Sequence, residues 1–208
     1  NSFSHYGYFP ILPFVSLICF IIAFSMLFLA KKVYYKVKNI RQERQIIEKN
    51  NYSLLQNIQK LTETKPESIT LQELTDFEWD YVYNFAPYTN QKYIEDMIGM
   101  KSCIPLYFRR DGDETSLLFM NKGKIVCYLG GKKDNLKCMI SLNGSYTNYN
   151  AIRYANQNIN TLYVEYDGYP RLYLADKEVV KSKGEKFEFK MKDNGKYESK
   201  KWVECTPN

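Results

Sequence analysis

The stretch from Phe9 to Ala30, FPILPFVSLICFIIAFSMLFLA, holds no charged residue over 22 positions. A helix rising about 1.5 Å per residue crosses a hydrocarbon core of about 30 Å in that length. Pro10 and Pro13 stand at its start, where a helix has fewest donors to lose. The run is apolar on every side and has no basic segment ahead of it, so it reads as a membrane span rather than a buried helix or a cleaved signal.

The flanks set an orientation. Residues 1 to 30 contain no Lys or Arg, whereas Lys31, Lys32, Lys36, Lys38, Arg41 and Arg44 follow at once. The side richer in basic residues tends to stay in the cytoplasm. The expectation is a single-pass protein with its C-terminal domain in the cytoplasm, the extracytoplasmic side being the alternative. Residues 31 to 50 supply +5 of the chain's formal +6. A short basic block beside an apolar run suits lipid headgroups, whereas binding to nucleic acid calls for a basic face spread over a folded domain. Membrane lipid is thus an expected partner and nucleic acid is not.

From Val33 the apolar residues recur in sevens. Val33, Ile40, Ile47, Leu54 and Leu61 form a d row, and Val37, Arg44, Asn51 and Ile58 fall at the a positions. Read as a coiled coil, Val33, Val37, Ile40, Ile47, Asn51, Leu54, Ile58 and Leu61 make the seam of a parallel homodimer, with Asn51 fixing its register. The alternative is a lone amphipathic helix lying back on the domain. The pattern ends at Thr62, and Pro66 blocks further helix. The expected order is a tail over 1–8, a transmembrane helix over 9–30, a basic juxtamembrane heptad helix over 31–62, a linker over 63–69 and a globular domain over 70–208.

That domain reads as α+β, a small antiparallel sheet with one main helix, able to fold without the anchor. Thr70 and Glu73 have capping-box spacing, and Trp79 to Phe85 suits a strand. Thr89 is placed to cap a helix over Asn90 to Ile98, with Gly99 as its stop. Leu117 to Asn121 with Lys124 to Leu129, Leu162 to Tyr166 with Arg171 to Leu174, and Lys186 to Met191 with Lys196 to Val203 each flank a Gly-containing turn, which predicts a meander of hairpins. Asn143 to Asn160 shows no period and reads as a long loop.

Segments within this domain resemble a known group. Leu74-Thr75-Asp76-Phe77-Glu78-Trp79-Asp80, then Val82, Phe85, Pro87-Tyr88-Thr89 and Ile94 to Gly99, resemble small bacterial membrane-anchored proteins and lipoproteins of uncharacterised activity, which share an F-x-W-D segment followed by P-Y-T. The resemblance covers some thirty residues and implies a compact α+β domain tethered to a bacterial membrane, often on its outer face. That placement conflicts with the basic flank. The long basic helix, in place of a lipoprotein cysteine, is where this chain departs from many of the group.

Histidine-based chemistry has little to work with. His5 is the single histidine and lies outside the domain, which removes Ser-His-Asp and Cys-His catalysis and His-ligated metals. Cys103, Cys127, Cys138 and Cys205 form no C-x-x-C and read as unpaired structural thiols, two disulfides being the alternative in an oxidising space. Asp76, Glu78 and Asp80 alternate and read as a solvated strand face. Asp111-Gly112-Asp113-Glu114 lacks later calcium ligands and reads as a turn, as does Gly130-Gly131-Lys132-Lys133. Asn51-Tyr52-Ser53 and Asn143-Gly144-Ser145 match a glycosylation pattern that carries no meaning in a bacterial or cytoplasmic setting.

No catalytic, cofactor-binding or metal residue is therefore assigned, and no cofactor is expected. The expected function is a membrane-tethered, non-enzymatic binding module for an unidentified protein, scaffolding or inhibitory and immunity-like in role. Its interaction surface or core strand is sought among Trp79, Tyr81, Tyr83, Phe85 and Tyr88. The alternative is a membrane-anchored enzyme using carboxylates.

Overall fold

The computed structural model describes residues 11–106, 114–142, 150–159, 161–174, 184–191 and 197–203, with side chains described at Leu17 and from Cys19 up to Phe187 within these ranges. It is an α+β protein with a long N-terminal helix and two mainly antiparallel sheets. The chain divides into two compact units, Asn1–Gln42 and Glu43–Asn208.

Helix α1 runs over Ile11–Thr64. In the first unit its side chains from Cys19 to Asn39 are all exposed, Phe20 at 69% and Leu27 at 70% among them. Among the described residues no helix is long and apolar enough to cross a membrane. The apolar run Phe9 to Ala30 begins outside the described residues.

In the second unit the same helix changes character. Ile47, Leu54, Ile58 and Leu61 are buried in the core of their own chain. Four positions assigned to a dimer seam are thus occupied by the domain, which is the outcome expected of an amphipathic helix folded back. A heptad repeat places a stripe on one side of a helix without specifying what covers it. Val33 and Val37 are exposed and Ile40 is half-buried. The helix ends where Lys65, at φ 45°, donates from its backbone N to Leu61 O before Pro66.

The supposed linker contributes strand β1 (Ser68–Thr70), which pairs with β7 (Thr161–Asp167). Thr70 and Glu73 form a capping box at α2 (Leu71–Leu74). Strand β2 covers Tyr81–Phe85, shorter than expected because the backbone of 75–80 is bent and irregular. Asp76, Glu78 and Asp80 therefore do not share a strand face. Helix α3 (Gln91–Ile98) is capped by Asn90, one residue later than expected, and Gly99 ends it at φ 72°. Thr89 instead donates its hydroxyl to Ala86 O and Asn150 O.

Strands β3 (Glu114–Asn121) and β4 (Lys124–Lys132) form the first hairpin. Lys122 at φ 49° and Gly123 at φ 73° give its two central residues the left-handed backbone of a type I′ turn. Asp80 Oδ2 accepts from Lys122 N at 2.6 Å and holds that turn in place. Gly130 and Gly131 lie inside β4, not in a turn, and the short helix α4 (Lys133–Leu136) follows directly. Strand β5 covers Met139–Ser141 and β6 covers Ala151–Ala155, within the stretch read as a loop. The other strands are β8 (Tyr169–Tyr173), β9 (Glu185–Met191) and β10 (Tyr197–Val203). Asp111 to Asp113, Asn143 to Tyr149 and Cys205 lie outside the described residues.

The three hairpins do not form one meander. One sheet has the order β10-β9-β6-β2-β3-β4 and the other β1-β7-β8-β5, in which β5 is parallel to β8. Each face of the six-stranded sheet has its own core. Val82, Leu117, Phe119, Cys127, Leu129, Ile152 and Tyr154 pack with Leu162, Leu172 and Ile140 of the other sheet and with Leu54, Ile58 and Leu61 of α1. Tyr83, Phe85, Leu118, Met120, Tyr128 and Phe187 pack with Ile94 of α3 and Ile47 of α1. Buried polar groups tie the sheets together: Leu142 N donates to Asn84 Oδ1 at 2.7 Å and Ile140 N to Thr115 Oγ1 at 3.0 Å.

Helix α1 also closes an open edge. Asn50 Nδ2 donates to Val126 O at 2.8 Å, and Asn51 Oδ1 accepts from Tyr128 N at 2.8 Å and from Cys127 Sγ at 3.0 Å. Among the described residues strand β4 ends its sheet, so these side chains serve backbone groups that no further described strand meets. The domain consequently starts within α1, not at residue 70.

Residues 43–208 are expected to unfold in one cooperative transition under urea, whereas residues 68–208, without the four buried α1 side chains, should be molten or aggregated. In the full chain Leu54→Ala should cost roughly 2–5 kcal/mol. A folded 68–208 fragment would show the helix to be dispensable. Near α3, Glu95 is buried and accepts from Gln91, Lys101 and Ser102 N, which hold its carboxyl down at about 2. An acid lowered in the folded state stabilises it fully above the ordinary value of 4.5 and loses that effect as pH falls toward 2. Thermal melting from pH 6 to pH 2.5 should show a steeper loss in the wild type than in Glu95→Gln.

Candidate interaction surface

Strand β2 alternates between the two cores, and this divides the five aromatic residues singled out in the sequence. Trp79 is buried, its Nε1 donating to Thr75 Oγ1 at 3.0 Å and its ring meeting Phe119 edge-on at 5.4 Å. Tyr83 and Phe85 are buried on the opposite face and stack at 5.9 Å. Trp79, Tyr83 and Phe85 are core. Tyr81, 40% exposed, and Tyr88, 70% exposed, reach the surface. Tyr88 has a φ of 66°, a conformation that non-glycine residues seldom adopt.

Two residues absent from the sequence reading complete the patch around Tyr81. Register places Arg153 of β6 opposite Tyr83, and its guanidinium lies 4.6 Å from the Tyr81 ring centre, 5.7 Å from that of Tyr83 and 5.5 Å from that of Phe187. Arg153 pairs with Glu185 of β9 and donates from Nη1 to the Tyr83 hydroxyl at 3.2 Å. Its Nε is buried with no hydrogen-bond partner among the described residues. A guanidinium held among aromatic rings keeps its charge while losing little side-chain freedom when a partner arrives. The run Ala151-Ile152-Arg153-Tyr154-Ala155 is short and lacks alternation, and the Asn- and Tyr-rich stretch around it gives no other signal of a strand.

The carboxylates serve the fold. Asp76 accepts from Ser53 Oγ at 2.5 Å and from Asn57 Nδ2 at 2.9 Å, bonds that lower its pKa, and these tie the segment after α2 to α1. Cys19, Cys103, Cys127 and Cys138 are free thiols. Burial raises Cys127 strongly and pushes Cys138 up to about 12, so neither forms a thiolate readily. Among the described residues no three His, Cys, Asp or Glu are placed to hold a metal. A small pocket of about 60 Å³ is lined by Lys133, Cys138, Met139, Asp167, Tyr169 and Arg171, among others. It lies by the β7–β8 turn, away from β2.

No protein-family model, no curated protein and no solved structure matches the chain. The surface patch offers the exposed part of the Tyr81 ring beside a guanidinium already paired with the Glu185 carboxylate.

The seam position Asn51 separates two readings by sign. At a coiled-coil a position, Asn51→Ile should raise stability. As the edge cap described above, the same change leaves Tyr128 N unpaired and should lower stability by about 1–3 kcal/mol, measured by chemical denaturation.

Proposed function

We propose that the chain is a membrane-tethered, non-enzymatic binding module whose domain engages a protein partner through the patch around Tyr81, Arg153 and Glu185. The observation that carries the tether is the exposure of Leu17, Phe20, Ile21, Ile22, Phe24, Met26, Leu27, Phe28 and Leu29 on every side of one helix. Side chains exposed all round are suited to an apolar solvent, whereas a stripe on one side would suit a protein groove. Together with the uncharged run from Phe9 to Ala30, this favours a single span, and the basic flank favours a cytoplasmic domain. The resemblance of Phe77 to Asp80 to bacterial membrane-anchored proteins agrees with a tether.

The binding role rests on the surface half of β2 and its neighbours. Arg and Tyr are the residues most enriched where interfaces gain their energy, and here they are already ordered against one another. Whether the partner is scaffolded or inhibited depends on the partner. A parallel dimer, with Val33, Val37 and Ile40 as its remaining seam, would bring two such patches to the same membrane region.

Alkaline carbonate washing should leave the full chain in the membrane pellet and release residues 43–208. A photo-crosslinking residue at position 81 should give a discrete adduct in native membranes that Arg153→Ala weakens at least tenfold, while one at exposed Glu165 should not. Release of the full chain by carbonate would remove the tether. Equal labelling from both positions would remove the patch.

A further inference from the structure

We propose that Lys31, Lys32, Lys36, Lys38 and Arg41 form a collar that binds the headgroups of anionic glycerophospholipids. The inference rests on the membrane reading above and adds a lipid class to it.

All five side chains are exposed, and among the described residues none takes part in an ion pair. The nearest acidic residue in sequence, Glu43, faces Lys124 at 3.8 Å. Arg44, whose Nε donates to Cys103 O at 2.6 Å, and Lys49 belong to the second unit, so Arg41 is the last cation of the first.

Their arrangement around the helix decides what they suit. At about 100° per residue, Lys31 and Lys38 share one side, Lys32 and Lys36 a second, and Arg41 lies roughly opposite the second. A helix lying in the plane of a membrane gathers its cations on one stripe opposite an apolar stripe. Here the cations encircle the axis, directly after a stretch that is apolar on all sides. That is the arrangement in which a helix passing through a headgroup layer has charge to offer in every direction. Lys31 to Arg41 rise by about 15 Å, and long flexible side chains at both ends reach toward a common headgroup layer. Tyr34 and Tyr35 are exposed within the same turns, their rings edge-to-face at 5.8 Å, and amphipathic rings settle at that depth. An acidic protein surface would meet only part of such a ring, whereas a leaflet surrounds it.

The test uses the full chain in phosphatidylcholine vesicles carrying trace spin-labelled phosphatidylserine, phosphatidylglycerol or phosphatidylcholine, with the motionally restricted fraction of each as readout. Both anionic lipids should be restricted several-fold more than phosphatidylcholine at low salt. The preference should approach parity near 1 M salt, where screening acts within about 3 Å. Each Lys→Gln or Arg→Gln change should weaken headgroup affinity by up to about fivefold, and the combined variant Lys31→Gln, Lys32→Gln, Lys36→Gln, Lys38→Gln, Arg41→Gln should show no preference. Selectivity for phosphatidylserine without phosphatidylglycerol would overturn recognition by charge. Equal restriction of all three lipids by a chain that floats with the vesicles would overturn the collar and leave the anchor standing. A chain that neither floats nor restricts lipid would remove both.

Discussion

The outer edge of β4 carries backbone groups that no further strand among the described residues pairs, and Asn50 and Asn51 of α1 meet two of them. An open strand edge invites pairing with another chain, and a helix laid across it removes that hazard. The same few turns bury Ile47 in one core and Leu54, Ile58 and Leu61 in the other. Helix α1 thus joins the two faces of the six-stranded sheet at its rim. The cross-sheet bonds at Asn84 and Thr115 then fix how the second sheet lies on the first.

Part of the local chemistry was legible in the sequence, although the cap of α3 fell at Asn90 and not Thr89 and Gly130-Gly131 lie inside a strand. The capping box at Thr70, the stop at Gly99 and the turn at Lys122-Gly123 depend on neighbours within a few residues, and each stands where its residue types require. Sheet order was not legible. Strand β6 pairs with β2 and β9 across long separations, and its five residues lie in polar sequence that resembles a loop. Strand β5 pairs in parallel over three residues, too few to leave a pattern. Of the surface patch, Tyr81 was readable, but Arg153 and Glu185 join it only through that unreadable pairing.

The heptad illustrates a different limit. Its period is real, but apolar positions in sevens are satisfied equally by another helix or by a sheet rim. Asn51 carries the distinction, because an amide at such a position finds either its own copy or a strand edge. The basic stretch from Lys31 to Arg41 is legible for the opposite reason: charge is a property of the residues themselves and needs no pairing partner to be read.

Because α1 meets its domain through side chains at fixed angular positions, its tolerance of length changes is uneven along the chain. One residue inserted between Ile47 and Leu54 turns the flanking segments by about 100° relative to each other. Ile47, Asn51 and Leu54 then cannot all keep their places. Insertions before Glu43 leave that set of contacts untouched. The first part of the helix is thus free to be lengthened or shortened without disturbing the domain, while the stretch from Ile47 to Leu61 is locked in phase.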